Sequence, residues 1–306
     1  PIYNSDVYGK ESYFGATGTG NTYGSSIKIV GETYSQSYNE ILSGQEGSDV
    51  KLIEGSISKV GMKTDVRKNV FNLTRGVTIS NSGNLVDDFN FTNNEDGAEL
   101  LNGTLLYFGN EGGANVTIQA GTVNGNKTIV VEGGNIYITG NINTTGVDSV
   151  LGLVALEDGN GLGGNIYIDP NVRYIKAVMY ADKSVISYDG LNELGGNATF
   201  SDLKNQLYIY GSLFTENTVG GSRANPLKCP YYITTCTSIE DAQKYDLNYL
   251  RRYYLKDTDG DGAGDTPAGG GVSSTPFITS TSQYYQYPVV IEYNPLIQTN
   301  PPIVFK

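Results

Sequence analysis

The sequence predicts an all-β solenoid, closed at its C-terminal end by a helix-and-loop cap. Three observations carry the prediction. Gly133-Gly134-Asn135-Ile136-Tyr137-Ile138 returns as Gly163-Gly164-Asn165-Ile166-Tyr167-Ile168, 30 residues later, and Asn205-Gln206-Leu207-Tyr208-Ile209 reads as a looser third copy. From Lys127 onward, short apolar runs are broken by turn residues about every 8–15 positions, with no helix-period segment among them until residue 238. The composition is rich in Gly (40 residues) and poor in charge (17%), so Asn, Ser, Thr and Tyr must make the surface polar. A strand-plus-turn unit that recurs every ~20–50 residues marks a solenoid or propeller. One unit cannot bury its apolar face alone, whereas stacked copies can. A β-sandwich is the alternative for the same strand spacing.

Taken in order, residues 1–65 form a Tyr-, Gly- and Ser-rich segment with strands expected at Ser26–Val30 and Val50–Ile53. Gly15-Ala16-Thr17-Gly18-Thr19-Gly20 imitates a phosphate-cradling loop. The strand before it and the helix after it are missing, so it reads as a plain loop. Residues 66–220 are assigned to the repeats. Early strands are expected at Asn72–Ser80, Leu100–Phe108 and Asn115–Gln119. Thr128–Val131, Asn135–Ile142, Val150–Leu156, Asn165–Ile168, Ile175–Tyr180, Ser184–Tyr188 and Gln206–Phe214 follow. The expected repeat core is Ile136, Ile138, Ile166, Ile168, Leu207 and Ile209, at the alternating positions that face inward from a strand.

Residues 221–306 are assigned to the cap. A helix is expected over Ser238–Lys256, with Ser238 as its N-cap, Asp241 three residues on, and an apolar stripe of Ile239, Ala242, Tyr245, Tyr249 and Tyr253. Arg251, Arg252 and Lys256 then fall near the C-terminal end, where positive charge is favoured. The helix is expected to lie as a lid over the last rung. Pro288–Tyr293 reads as a strand and Asn300-Pro301-Pro302 as extended chain. The apolar Ile303, Val304 and Phe305 must bury themselves in cis or in a neighbouring subunit. Because strand edges template further pairing, these three residues are also candidate assembly contacts.

Gly125-Asn126-Lys127-Thr128-Ile129-Val130-Val131-Glu132-Gly133-Gly134-Asn135 resembles the rungs of large secreted β-helix surface proteins, with similar rungs in bactofilin-like and pectate-lyase-like folds. Tyr245-Asp246-Leu247-Asn248-Tyr249-Leu250-Arg251 and Ile291-Glu292-Tyr293-Asn294-Pro295-Leu296-Ile297-Gln298-Thr299 resemble the C-terminal ends of long Patescibacteria-like surface proteins of uncharacterised function. The resemblance covers roughly residues 100–306. It implies a right-handed parallel β-helix and a cell-surface location, and it carries no catalytic residues.

Charge narrows the function classes. The net charge is −12, which disfavours nucleic acid and anionic membranes as partners. No apolar run reaches the ~18–20 residues of a membrane helix. The chain opens on Pro1 without Met, as expected of a processed protein or a fragment. Asp257, Asp259, Asp261 and Asp265, with Gly262 for the sharp turn and the Ala263 carbonyl, follow the front of an oxygen-ligand calcium loop. Ala268 stands where a full EF-hand needs a bidentate Glu, so the expectation is Ca2+ in a shorter loop, against a solvated acidic loop without metal. Cys229 and Cys236, the only cysteines, are expected to form a disulfide.

Without His, no Ser-His-Asp or Cys-His site exists. The carboxylates Asp87, Asp88, Glu157, Asp158 and Asp182 read first as surface groups. Arg173 and Lys176 near Asp169 are similar to the grooves of β-helix polysaccharide lyases, yet alternation sends some of them to opposite faces. No catalytic residue is assigned. Tyr137 and Tyr167 occupy equivalent positions and are expected to stack one rung apart, as a device of the solenoid before a sugar platform. N-glycan sequons occur at Asn72, Asn90, Asn102, Asn115, Asn126, Asn143 and Asn197. The function expected is a non-enzymatic extracellular structural protein that self-associates head to tail into a fibre. A polysaccharide lyase or hydrolase and a glycan-binding adhesin are the alternatives.

Overall fold

The computed structural model describes residues 115–196, 198, 201–252 and 288–305, together with the backbone of further strands outside those ranges. In chain order the strands are β1 (Val7–Phe14), β2 (Ile27–Val30), β3 (Thr33–Glu40), β4 (Val50–Leu52), β5 (Leu85–Val86), β6 (Ala98–Leu100) and β7 (Thr104–Phe108). Then come β8 (Val116–Ile118), β9 (Gly121–Glu132), β10 (Ile136–Ile138), β11 (Ile142–Leu156), β12 (Ile166–Ile168), β13 (Tyr174–Ile175), β14 (Val178–Ala181) and β15 (Val185–Tyr188). The last are β16 (Glu193–Leu194), β17 (Leu207–Tyr210), β18 (Ser212–Phe214), β19 (Leu255–Lys256), β20 (Thr266–Pro267) and β21 (Val289–Glu292). The chain is mostly β, and its sheets are built overwhelmingly from parallel pairs, as in a β-solenoid.

The repeat explains the pairing. β10 lies parallel on β12 with Ile136 opposite Ile166, Tyr137 opposite Tyr167 and Ile138 opposite Ile168, so identical residues stack on identical residues. β8 precedes them in the same column and β15 follows. Along the chain, the steps Val116↔Ile136, Ile136↔Ile166 and Ile166↔Val185 are 20, 30 and 19 residues. Two more columns complete the rungs. β11 divides at a register shift between Thr145 and Val150; its first part pairs with β13 and its second with β14. From there β13 leads to β17 and β14 leads to β18. Gly146, at φ +76°, sits inside the shift, in a left-handed conformation that costs a Cβ-bearing residue energy.

The core is what these columns enclose. Ile136, Ile138, Ile166 and Ile168 are fully buried with Val116, Ile118, Leu153, Met179 and Leu213. Leu207 and Ile209 belong to the same core, but the looser third copy does not stack on the other two. β17 lies in the second column, between β13 and β21, and β15 takes the place above β12. The alternation of β17 matches that of β10 because an inward–outward period of two is common to every column. The terminal stretches add strands at the same edge: β21 pairs with β17, β2 with β21, and β1 with β18. β1, from the N-terminal segment, thus continues the third column beyond β18.

Side-chain amides hold the rungs in register. The backbone N–H of Asn135 donates to Asn115 Oδ1 at 3.0 Å, that of Asn165 to Asn135 Oδ1 at 3.0 Å, and that of Ser184 to Asn165 Oδ1 at 3.1 Å. Each amide oxygen satisfies a corner N–H one rung away, which strand pairing leaves unused. Replacing Asn165 by Ala should cost about 1–3 kcal/mol in urea unfolding, since a buried donor loses its acceptor. Asn143→Ala, an exposed control, should stay within about 0.5 kcal/mol of the parent protein. Equal effects of the two substitutions would remove the ladder as a source of stability.

Candidate functional site

Three arrangements on the solenoid combine unusual chemistry with unusual packing: the lid, the tyrosine rows and the seat of the C-terminal segment.

The lid departs from the expected long helix. Helix α1 covers only Ile239–Lys244, and a 3-10 turn at Leu247–Tyr249 follows. Ser238 caps α1 by accepting from Asp241 N–H at 3.1 Å. The helix stops because Asp246 is drawn inward. Its carboxylate accepts from Gly220 N–H, Ser222 N–H, the Ser222 hydroxyl and Asn248 N–H, at 2.6–3.2 Å. A helical continuation would point that side chain elsewhere and strand four donors. Burial pushes the Asp246 carboxyl above its ordinary range, while the four donors oppose the shift. In the expected stripe Ala242 is buried, but Ile239 is exposed and Tyr253 lies outside the described residues.

Past the turn, Leu247 and Leu250 enter the solenoid core. Arg251, expected near the C-terminal end of that helix, is fully buried. Its guanidinium donates to Ser187 Oγ, Leu250 O, Asp169 O and Val172 O at 2.7–3.1 Å. Sequence reasoning missed both buried charges. Upstream, Cys229 and Cys236 are joined as a disulfide, with Cα atoms 5.9 Å apart.

The tyrosine rows lie on the outer sides of the columns. Tyr137 and Tyr167 stack at 4.8 Å with planes 19° apart, and Tyr188 meets both at 5.2–5.3 Å. The Tyr167 hydroxyl donates to Glu193 Oε1 at 2.7 Å, and Lys244 forms an ion pair with the same Glu193, so this row is tied to the lid. On the second column Tyr174 stacks on Tyr208 at 5.6 Å, Tyr208 faces Tyr210, and Lys176 Nζ lies 5.5 Å from the Tyr210 ring centre. Tyr232 donates to Ser184 Oγ and meets Tyr245 edge-on.

Among the described residues, the candidate carboxylates Asp158, Asp169 and Asp182 each have a local or inter-rung structural partner. Asp158 Oδ1 closes a local turn by accepting from Asn160 and Leu162 N–H. Asp182 is buried and accepts from Glu157 N–H at 3.0 Å, a backbone link between neighbouring rungs. Asp169 Oδ1 accepts from Asn171 N–H, and Lys176 is given over to Tyr210. Asp87, Asp88, Asn197 and the whole Asp257–Asp265 loop, including Asp259, Asp261 and Ala263, lie outside the described residues. Among the described residues, no group of three or more His, Cys, Asp or Glu is placed to hold a metal ion. No helix among them is long and apolar enough to cross a membrane.

The third arrangement is the seat of residues 288–305. β21 pairs with β17 in register, Leu207 opposite Val289 and Tyr210 opposite Glu292. The Tyr208 hydroxyl donates to Glu292 Oε2, and Gly211 N–H to Glu292 O. Helix α2 (Leu296–Thr299) then lies against β11, and a final 3-10 turn, Ile303–Phe305, against β9. Asn126 Nδ2 donates to Asn300 Oδ1 and to Pro301 O at 3.0 Å, and Asn300 Nδ2 to Asp148 O at 2.9 Å. A Cβ on Gly152 would stand 2.8 Å from Pro302 Cβ and 3.3 Å from Phe305 Cε2, so Gly152 makes the room that this segment fills. Phe305 stacks on Phe214 at 6.1 Å, and Val304 is buried. Two of the apolar tail residues thus pack on their own chain; the Ile303 side chain lies outside the described residues.

Comparison with protein families, with curated proteins and with solved structures finds no match for this chain.

Burial, as the largest cause in each case, pushes the phenols of Tyr167, Tyr208 and Tyr232 above their ordinary value of 10.0. The folded state therefore holds these protons longer than the unfolded chain. The resulting stability is complete below about pH 10 and is lost as pH rises beyond it. In an alkaline titration followed at the tyrosinate absorption band, these three should ionise only together with loss of the β circular-dichroism signal. Full ionisation of every tyrosine with that signal intact would contradict the burial of the rows.

Proposed function

We propose that this chain is a non-enzymatic structural protein of the cell surface, a right-handed parallel β-helix whose copies associate end to end into a fibre. The observation that carries the reading is the in-register column of like residues, Ile on Ile and Tyr on Tyr, backed by an asparagine ladder. Those devices serve stiffness and propagation: each rung presents the edge on which the next one forms. An extracellular location draws support from the disulfide and from the low charged content. Glycan adhesion is the second reading, favoured by the partly exposed rings of Tyr137, Tyr188, Tyr174 and Tyr210. A polysaccharide lyase or hydrolase on the same scaffold is distinguished from both by turnover of acidic polysaccharides.

Electron microscopy of the purified protein over a range of concentrations tests the reading. Fibres whose length grows with concentration are expected; a monodisperse monomer at every concentration would refute assembly, and binding to glycan arrays by that monomer would favour the adhesin.

Calcium belongs to the same reading. Four carboxylates within nine residues, Asp257 to Asp265, repel one another unless a cation neutralises them. Asp259→Ala is expected to lower the melting temperature in calcium and to change little in chelator. A parent protein that melts at one temperature in both conditions would sink the calcium site.

A further inference from the structure

The C-terminal segment is bound to its own chain in the way a peptide is bound to a receptor. Its strand adds to the β17 edge, its Asn300 is gripped by Asn126 and by the Asp148 carbonyl, Pro302 fills the room above Gly152, and Phe305 closes on Phe214. The groove under Pro302 and Phe305 is the outer side of the third column. There Val130, Val154 and Tyr180 are as fully buried as the inward residues Ile129, Leu153 and Met179. The covalent connection is remote: residues 253–287 separate the lid from β21, a tether of 35 residues.

We infer that this seat is exchanged between copies: residues 288–305 of one chain occupy the β17 edge and the Gly152 groove of another. The inference rests on the proposed assembly of the protein and names its link. The contacts made in cis and in trans are the same, so the choice turns on concentration. The covalent connection supplies its own segment at an effective concentration on the order of a millimolar. Neighbours packed on a surface at comparable density compete on equal terms. Because the segment and its seat lie on different parts of the molecule, a one-way head-to-tail exchange is heterologous and extends as an open chain unless it closes into a ring, whereas reciprocal exchange gives a closed dimer. The strands beyond β17 and β18 have the composition that exchange requires. These strands, β21 beside β17 and β1 beside β18, come from the two ends of the chain and not from the residues that follow β18.

The test uses two full-length variants, Asn126→Cys and Asn300→Cys, with circular dichroism matched to the parent protein. Mixed under oxidising conditions, they should give a reducible dimer whose yield rises with concentration and falls at least severalfold on tenfold dilution before oxidation. The double variant should close within one chain at low concentration, which verifies the seat. Phe214→Cys and Phe305→Cys supply a second pair should the first perturb folding. Internal closure of the double variants with no dimer from either mixture, up to millimolar protein, overturns the exchange. Failure of both double variants to close overturns the seat itself. Fibres without cross-linked dimers would leave the fibre reading standing and reject this link, whereas dimers without fibres would do the reverse.

Discussion

Close backbone contact at one corner sets the geometry of the stack. Gly164 N–H donates to Gly134 O at 2.9 Å, and a Cβ on Gly163 would lie 2.4 Å from the Gly134 backbone. No other residue type permits that approach, and Gly163 and Gly164 both have positive φ besides. Once the corners touch, Asn165 is delivered to Asn135, and the amide ladder fixes the register. Register in turn decides which side chains face inward, since a slip of one residue would turn Ile136 and Ile138 to the outside and Tyr137 to the core. The stacked tyrosines are thus a consequence of the register and an added penalty against losing it.

The third column shows a different constraint. β8, β10 and β17 alternate, but residues 149–156 are buried without a break. A strand reads as a continuous apolar run when both of its sides are covered. The core covers one side; the returning C-terminal segment lies along the other. Gly152 in mid-strand would ordinarily weaken such a strand. Here it is the gap that Pro302 occupies, so the cost of the glycine is offset by a contact more than a hundred residues away in sequence.

How much of this was legible follows from which interactions are local. The two rungs with the same six residues announce their own pairing. The steps of 20 and 19 residues do not, because Val116-Thr117-Ile118 and Val185-Ile186-Ser187 share only a pattern with them. For the same reason the looser copy at Leu207 does not announce that it stands in a different column from the other two. One signal was present and unread: Asn115, Asn135 and Asn165 each stand immediately before a strand of the first column, at the same corner. The long helix over 238–256 was overestimated because apolar spacing is blind to the depth of Asp246. The disulfide was legible from two cysteines in an otherwise cysteine-free chain. The seat of the tail was not, since nothing near Asn126 or Gly152 in sequence speaks of residue 300.

The two buried charges of the lid make the same point about the end of a solenoid. Asp246 and Arg251 lie five residues apart, yet the hydrogen bonds of each go to backbone and hydroxyl groups. Asp246 gathers N–H groups from the turn after β18, where the chain leaves the stack. Arg251 gathers carbonyls from the turn after β12, where the chain rounds a corner. Burying such backbone groups without a partner costs about 1–3 kcal/mol each. A hydrophobic lid would cover the core but leave those groups stranded. A carboxylate collects several donors at one point and a guanidinium several acceptors, which lets one short segment close two irregular turns. Removing the Asp246 carboxylate takes the shared acceptor from the Gly220, Ser222 and Asn248 N–H groups at once, and removing Arg251 takes a donor from Val172 O, so the lid is specified by its charges as much as by Leu247 and Leu250.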